Sequence, residues 1–244
     1  KNARAHCRTK THGEPDDLPE PKQFADAITA DTAILNDRVE GREKDQVATI
    51  IQDRFTNWLG GYPLKTKNAH ETMQAFQKFL GPQTKAKHVY TDNSKEFIKA
   101  LDDLGMSHDT STPYRPQTNG IVERAVRRVK EGTSCALLQS GLHEKWWSYS
   151  MLCYVFLRNV VDLLADGTTP WEKRFGQPFK GPLIPFGAEV QYKPISSDDK
   201  KRVHKMGSKL LPGIFLGYDQ RSGGAWSGDL IIADQEQIKN AESS

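Results

Sequence analysis

The sequence predicts an α/β layer fold of roughly 140 residues with a small β-rich appendage, and three observations point to it. Runs rich in β-branched and aromatic residues alternate with helical periods in the order strand, strand, strand, helix, strand, helix, strand, then helices. The first three runs are joined by short polar connections, as an antiparallel meander requires. After Asp166-Gly167 the long periods give way to short β-like runs and Gly-rich turns.

The elements follow in order. Residues 1–23 are polar, charged and broken by Pro15, Pro19 and Pro21, which reads as a linker left from an upstream module. His6, Cys7 and His12 lack the second Cys that a zinc module needs. Strands are predicted over 27–35, 46–52 and 58–64. A helix follows over 68–80, with Asn68 as N-cap, Met73, Phe76 and Leu80 on one face, and Gly81-Pro82 as its stop. A strand over 87–91, reached by a helical crossover, should lie parallel to a neighbour. A short helix over 95–104 ends at Gly105, a fifth strand covers 107–112, and long helices run from about 121 to 139 and over 143–164. The core is thus 24–165. In the remaining 166–244, a short helix is expected at 169–176 and strands at 188–192, 210–218 and 229–233, with a basic loop at 198–209.

Composition excludes little. The net charge of +3 is too small to identify a partner, so the distribution of charge matters more than its sum. No apolar run approaches the ~20 residues of a membrane helix, so no membrane partner is expected. Cys7, Cys135 and Cys153 form no spaced pairs, which suggests a reducing, intracellular compartment, nucleus and cytoplasm. Cys135 and Cys153 lie in apolar helical stretches and are expected to be buried. The start, Lys-Asn-Ala-Arg, has neither an initiator Met nor a signal-peptide core and reads as part of a longer chain.

Two carboxylates carry the chemistry. Asp92 ends a strand in Val-Tyr-Thr-Asp-Asn-Ser-Lys-Glu-Phe, and Glu123 is expected in the first turn of a helix that follows Pro-Tyr-Arg-Pro-Gln-Thr-Asn-Gly. Acids at a strand end and a helix start can converge on one point, where they repel unless a divalent cation joins them. Both could instead be capping acids, favoured near helix N-termini. Arg127 and Lys130 follow Glu123 at four and seven residues and share its helix face; Arg124 and Arg128 point elsewhere. A cationic helix beside a metal site suggests phosphate chemistry on a polyanion.

These residues resemble the catalytic core of retroelement integrases, most closely the copia-type group of long-terminal-repeat retrotransposons. Ile-Ile-Gln-Asp53-Arg-Phe-Thr-Asn-Trp-Leu with Tyr-Pro-Leu-Lys-Thr-Lys67 is similar to the family's second and third strands. Thr91-Asp-Asn-Ser-Lys-Glu-Phe97 resembles its second catalytic-acid motif, and Ser111-Thr-Pro-Tyr-Arg-Pro-Gln-Thr-Asn-Gly-Ile-Val-Glu-Arg124 its mobile loop and third acid. Phe186-Gly-Ala-Glu-Val and Leu211-Pro-Gly-Ile-Phe-Leu-Gly-Tyr218 resemble the region after the core in copia-type polyproteins.

The resemblance implies an RNase H-like five-stranded mixed sheet flanked by helices, and DNA strand transfer with two Mg²⁺ (or Mn²⁺) ions. Asp92 takes the place of the second acid and Glu123 of the third, closer in sequence than is usual, and Ser94 stands where the family has Gly. For the first acid, which would bridge both ions, Asp31 fits best; Asp26 and Asp37 are the alternatives. Asp53 matches a structural or turn-capping position. Tyr114, Asn119, Arg124, Arg127 and Lys130 occupy positions that touch DNA in the family. DNA, both element ends and target, is the implied partner, and self-association is expected. A same-fold nuclease or transposase that only cleaves, and an inactive relic that binds DNA or assembles, are the competing functions.

Overall fold

The computed structural model describes residues 20–35, 39–110, 116–203 and 206–242, the side chains of 110, 116–119 and 240–242 excepted. The expected tail residues His6, Cys7 and His12, together with Asp37 and Tyr114, lie outside the described residues.

Five strands form the first sheet: β1 (Ile28–Ala33), β2 (Val47–Asp53), β3 (Leu59–Leu64), β4 (Val89–Thr91) and β5 (His108–Thr110). Their order is β3-β2-β1-β4-β5. β1, β2 and β3 pair antiparallel, as the short connections predicted, and β4 joins β1, and β5 joins β4, in parallel. The carboxyl ends of β1, β3, β4 and β5 therefore meet at one edge of the layer.

Alternation of side chains divides this sheet between two sets of helices. Ile28, Ala30, Ile51 and Val89 face α1 (Ala69–Leu80) and α2 (Lys95–Leu104), packing with Phe76, Phe79, Phe97 and Leu101. Ala33, Ala48, Ile50 and Leu59 face α3 (Pro116–Ser140) and α4 (Trp147–Val161), packing with Ala125, Val129, Met151 and Val155. α1 begins as predicted, with Asn68 accepting the Glu71 amide at 2.9 Å. α2 ends at Gly105, whose φ of 60° is the left-handed conformation that an L side chain resists. Edge strand β3 is protected rather than open: Asn159 binds both the N–H and the C=O of Leu59 (2.9 and 2.7 Å), and Pro63 offers no N–H.

Past α5 (Pro170–Phe175), the chain forms β6 (Glu189–Tyr192), α6 (Ser197–Lys201), β7 (Leu211–Gln220), β8 (Trp226–Asp234) and α7 (Gln235–Glu242). The three strands make an antiparallel sheet in the order β6-β7-β8. Phe215 and Tyr218 of β7 reach the same apolar core as Phe156 of α4 and Trp171 of α5, with Phe156 and Tyr218 stacked at 4.2 Å. Arg174 enters this aromatic zone, its guanidinium 3.7 Å from the Phe24 ring centre and 4.7 Å from that of Trp58.

Four expectations need correction. α3 starts at Pro116, not near 121, because Pro with its fixed φ is well placed in a first helical turn. Asn119 therefore lies in a helix and not in a loop. Cys135 is exposed, since it falls off the stripe of Val122, Ala125, Val129 and Thr133 that α3 buries; Cys153 is buried as expected. Part of the basic loop is helical (α6), and Arg202 at its end is bound by Asp199, Asp234 and Glu236. The terminal helix α7 was not foreseen.

Candidate active site

Asp31 is the fourth residue of β1 and lies level with Ile50 of β2, so it shares the sheet face on which α3 packs. β1 and β4 pair Ile28 with Val89 and Thr29 with Tyr90. Continuing that register by two residues brings Asp31 level with Asp92, just past the end of β4. Alternation then puts both carboxylates on the α3 side of the sheet. Glu123 is the eighth residue of α3, beside the buried Val122 and two residues before the buried Ala125. It stands two turns into the helix. That weakens the reading of Glu123 as a capping acid, because the terminal dipole acts within the first turn.

The electrostatics agree with this placement. The Asp31 carboxyl is held above its ordinary pKa, first by burial, then by the charges of Asp92 and Glu123; the Thr32 amide (2.7 Å) and Lys67 act in the opposite direction. Asp31 thus feels both other acids. Asp92 is half-buried, and its Oδ1 accepts the Ser94 amide at 3.3 Å; Glu123 is exposed. Among the described residues, no three of His, Cys, Asp and Glu are drawn together tightly enough to hold a metal ion. The acids share a neighbourhood without being closed on a common point.

Asp26 sits elsewhere. It precedes β1, at the opposite end of the strand, and is bound by Lys87 at 2.8 Å and the Lys22 amide at 3.0 Å. Asp53 has the structural part expected of it. It is fully buried, with Oδ1 accepting from the Thr56 amide and hydroxyl (2.7 and 2.6 Å) and Oδ2 from the Ala25 amide (2.8 Å).

Arg124, Arg127 and Lys130 are exposed along α3, and Arg127 is 4.0 Å from Glu131. Sequence reasoning missed Lys67 as a part of this site. Lys67 follows the carboxyl end of β3, pairs with Glu96 of α2 at 2.8 Å and acts on Asp31. Its position in Leu-Lys-Thr-Lys67 is just before a helix cap, and only the parallel arrangement of β3 and β1 brings it to the acids. His108 was missed too. Its Nε2 lies 2.7 Å from the Thr91 hydroxyl, next to Asp92.

Asp31 supplies an expected result on stability. Its raised pKa means that the cost of its charge is full above the folded-state value and is lost as pH falls through that value towards the ordinary carboxylate range. Asp31→Asn should therefore raise the melting temperature at neutral pH in chelator. Mn²⁺ should raise the melting temperature of the parent chain but not of the variant. A variant that melts lower than the parent in chelator would count against this account.

No protein-family model matches the chain. It is 31% identical over 179 residues to the retrovirus-related Pol polyprotein from transposon RE1 of Arabidopsis thaliana, which covers 69% of this chain and 12% of the relative. The chain thus spans about an eighth of the length of that curated relative. Among solved structures, the simian T-cell lymphotropic virus intasome in complex with the PP2A regulatory subunit B56 gamma matches with a TM-score of 0.52 and 16% identity, over 89% of this chain and 78% of that one. The HTLV-2 integrase catalytic core domain, in complex with magnesium, matches 62% of this chain and 97% of its own, with 18% identity and a TM-score of 0.49. The likeness is one of fold: the five-stranded mixed sheet with flanking helices is the RNase H-like arrangement of integrase cores.

Proposed function

We propose that this chain is the catalytic core of a retroelement integrase, which trims the 3′ ends of element DNA and joins them to target DNA. One observation supports this reading above the rest: Asp31 on β1 has Asp92, beyond β4, and Glu123, on α3, close enough for both charges to act on it.

The residues present suit a divalent cation. All three side chains offer hard oxygen donors, which Mg²⁺ and Mn²⁺ take. The half-buried charge of Asp31 beside two like charges is a cost that a cation offsets. Asp31, Asp92 and Glu123 would hold two such ions, which when bound activate the attacking water or 3′-hydroxyl and stabilise the leaving oxygen. The chain's own groups do the rest. β1 holds Asp31 in a paired strand, while the Ser94 amide steadies Asp92. Arg124, Arg127 and Lys130 bind phosphates along α3, the resemblance to integrases assigns Tyr114 and Asn119 to the DNA ends, and Lys67 adds a positive charge at the rim of the acids.

Incubation with a recessed-end duplex, plasmid target and Mn²⁺ tests the proposal; joined product is the expected result. Nicking without joining would favour a nuclease of this fold, and DNA binding without any product an assembly module. DNA affinity should also fall steeply with salt, as phosphate contacts release counterions. Changing Arg124, Arg127 and Lys130 together to Ala should reduce the slope of log affinity against log salt by about 2–3. An unchanged slope would remove α3 from the DNA surface.

A further inference from the structure

We infer that His108 is a positioning residue for Asp92, acting through the Thr91 hydroxyl; the inference rests on the function proposed above. Two hydrogen bonds carry it. The Thr91 Oγ1 donates to the Asp92 carbonyl at 2.8 Å, and the same oxygen lies 2.7 Å from His108 Nε2. A hydroxyl has one proton to give, and Thr91 gives it to Asp92. The contact with His108 is a hydrogen bond only when Nε2 carries the ring proton and donates. The order is then fixed: His108 Nε2–H to Thr91 Oγ1, and Thr91 Oγ1–H to the Asp92 carbonyl. Burial lowers the His108 pKa from its ordinary value, which favours the neutral ring, and the single ring proton is then the one on Nε2.

The relay sits where the sheet stops holding the chain. Thr91 is the last residue of β4 and pairs with Thr110, so the Asp92 carbonyl lies beyond the ladder. The Asp92 carboxylate must keep its place although Asp31 repels it. Holding the carbonyl fixes rotation about the Cα–C bond of Asp92, and with it the turn in which Ser94 meets Oδ1. His108 reaches Thr91 from the neighbouring strand, diagonally across a pair only three residues long. Hydrogen bonds in series strengthen each other, and groups that orient metal-binding side chains affect metal affinity and activity by about 10- to 100-fold when removed.

His108→Ala, His108→Gln, Thr91→Val and Thr91→Ser separate positioning from mere packing. Gln can return an N–H donor and Ser a hydroxyl, so both should recover most of the function. The readouts, all on the full chain, are Mn²⁺ affinity by paramagnetic resonance titration, joined product at saturating DNA, DNA affinity and thermal unfolding. His108→Ala and Thr91→Val should each lower Mn²⁺ affinity and joining about 10- to 100-fold, with DNA affinity unchanged. Should His108→Ala fail to fold, Thr91→Val, which keeps the shape of Thr, decides the matter. His108→Ala with parental Mn²⁺ affinity and joining, or Gln and Ser variants no better than Ala and Val, would overturn the relay alone. A parent chain that neither binds Mn²⁺ nor acts on DNA would overturn the proposed function, and the relay with it.

Discussion

Glu123→Gln should abolish Mn²⁺-dependent nicking and joining, by at least three orders of magnitude, equivalent to about 4 kcal/mol of transition-state stabilisation. The change removes a charge and little else. Glu123 is exposed in α3, and Gln has nearly the same size and helix propensity, so the fold should persist. DNA binding should hold or strengthen slightly, because Arg124, Arg127 and Lys130 remain and a nearby negative charge has gone. Loss of turnover with binding intact is the signature of a lost metal ligand. Turnover at the parental rate would remove Glu123 from the site.

Asp53→Ala is expected to have the largest effect on stability, a loss of about 3–5 kcal/mol. Three buried donors, the Ala25 amide and the Thr56 amide and hydroxyl, lose their acceptor together. Arg174, whose charge also acts on Asp53, would lose a nearby counter-charge. In a chain of this size the loss corresponds to a melting temperature lower by roughly 6–20 °C. Asp53→Asn should recover only part of it: with its oxygen turned to Thr56, its NH₂ faces the Ala25 amide, donor against donor. Urea unfolding of both variants measures the difference. A loss below about 1 kcal/mol for Asp53→Ala would mean that water or a shifted backbone satisfies these donors.

Much of the framework was legible because its signals are local. The antiparallel meander followed from short polar connections between β-branched runs, and α1 from Asn68, its apolar period and Gly81. The acid positions Asp92 and Glu123 stood out through their flanking motifs. Local signals also misled. Pro116, Asn119 and Gly120 carry turn chemistry, yet Pro suits a helix start, and burial of Val122, Ala125 and Val129 outweighs the ~1 kcal/mol that a helical Gly costs. Cys135 looked buried because its neighbours are apolar, although the exact phase of the helix turns it outward.

The sequence alone determined the order and kind of the core strands and helices, and the two acid motifs, since each depends on residues near one another in the chain. Tertiary structure decided what depends on distant pairing. The parallel register of β1 with β4 sets Asp31 beside Asp92 while leaving Asp26 at the far end of the strand. Packing of α3 across β1 and β2 brings Glu123 within electrostatic reach, and the β3 crossover delivers Lys67. Those placements follow from long-range burial and hydrogen bonding, which no spacing along the chain encodes.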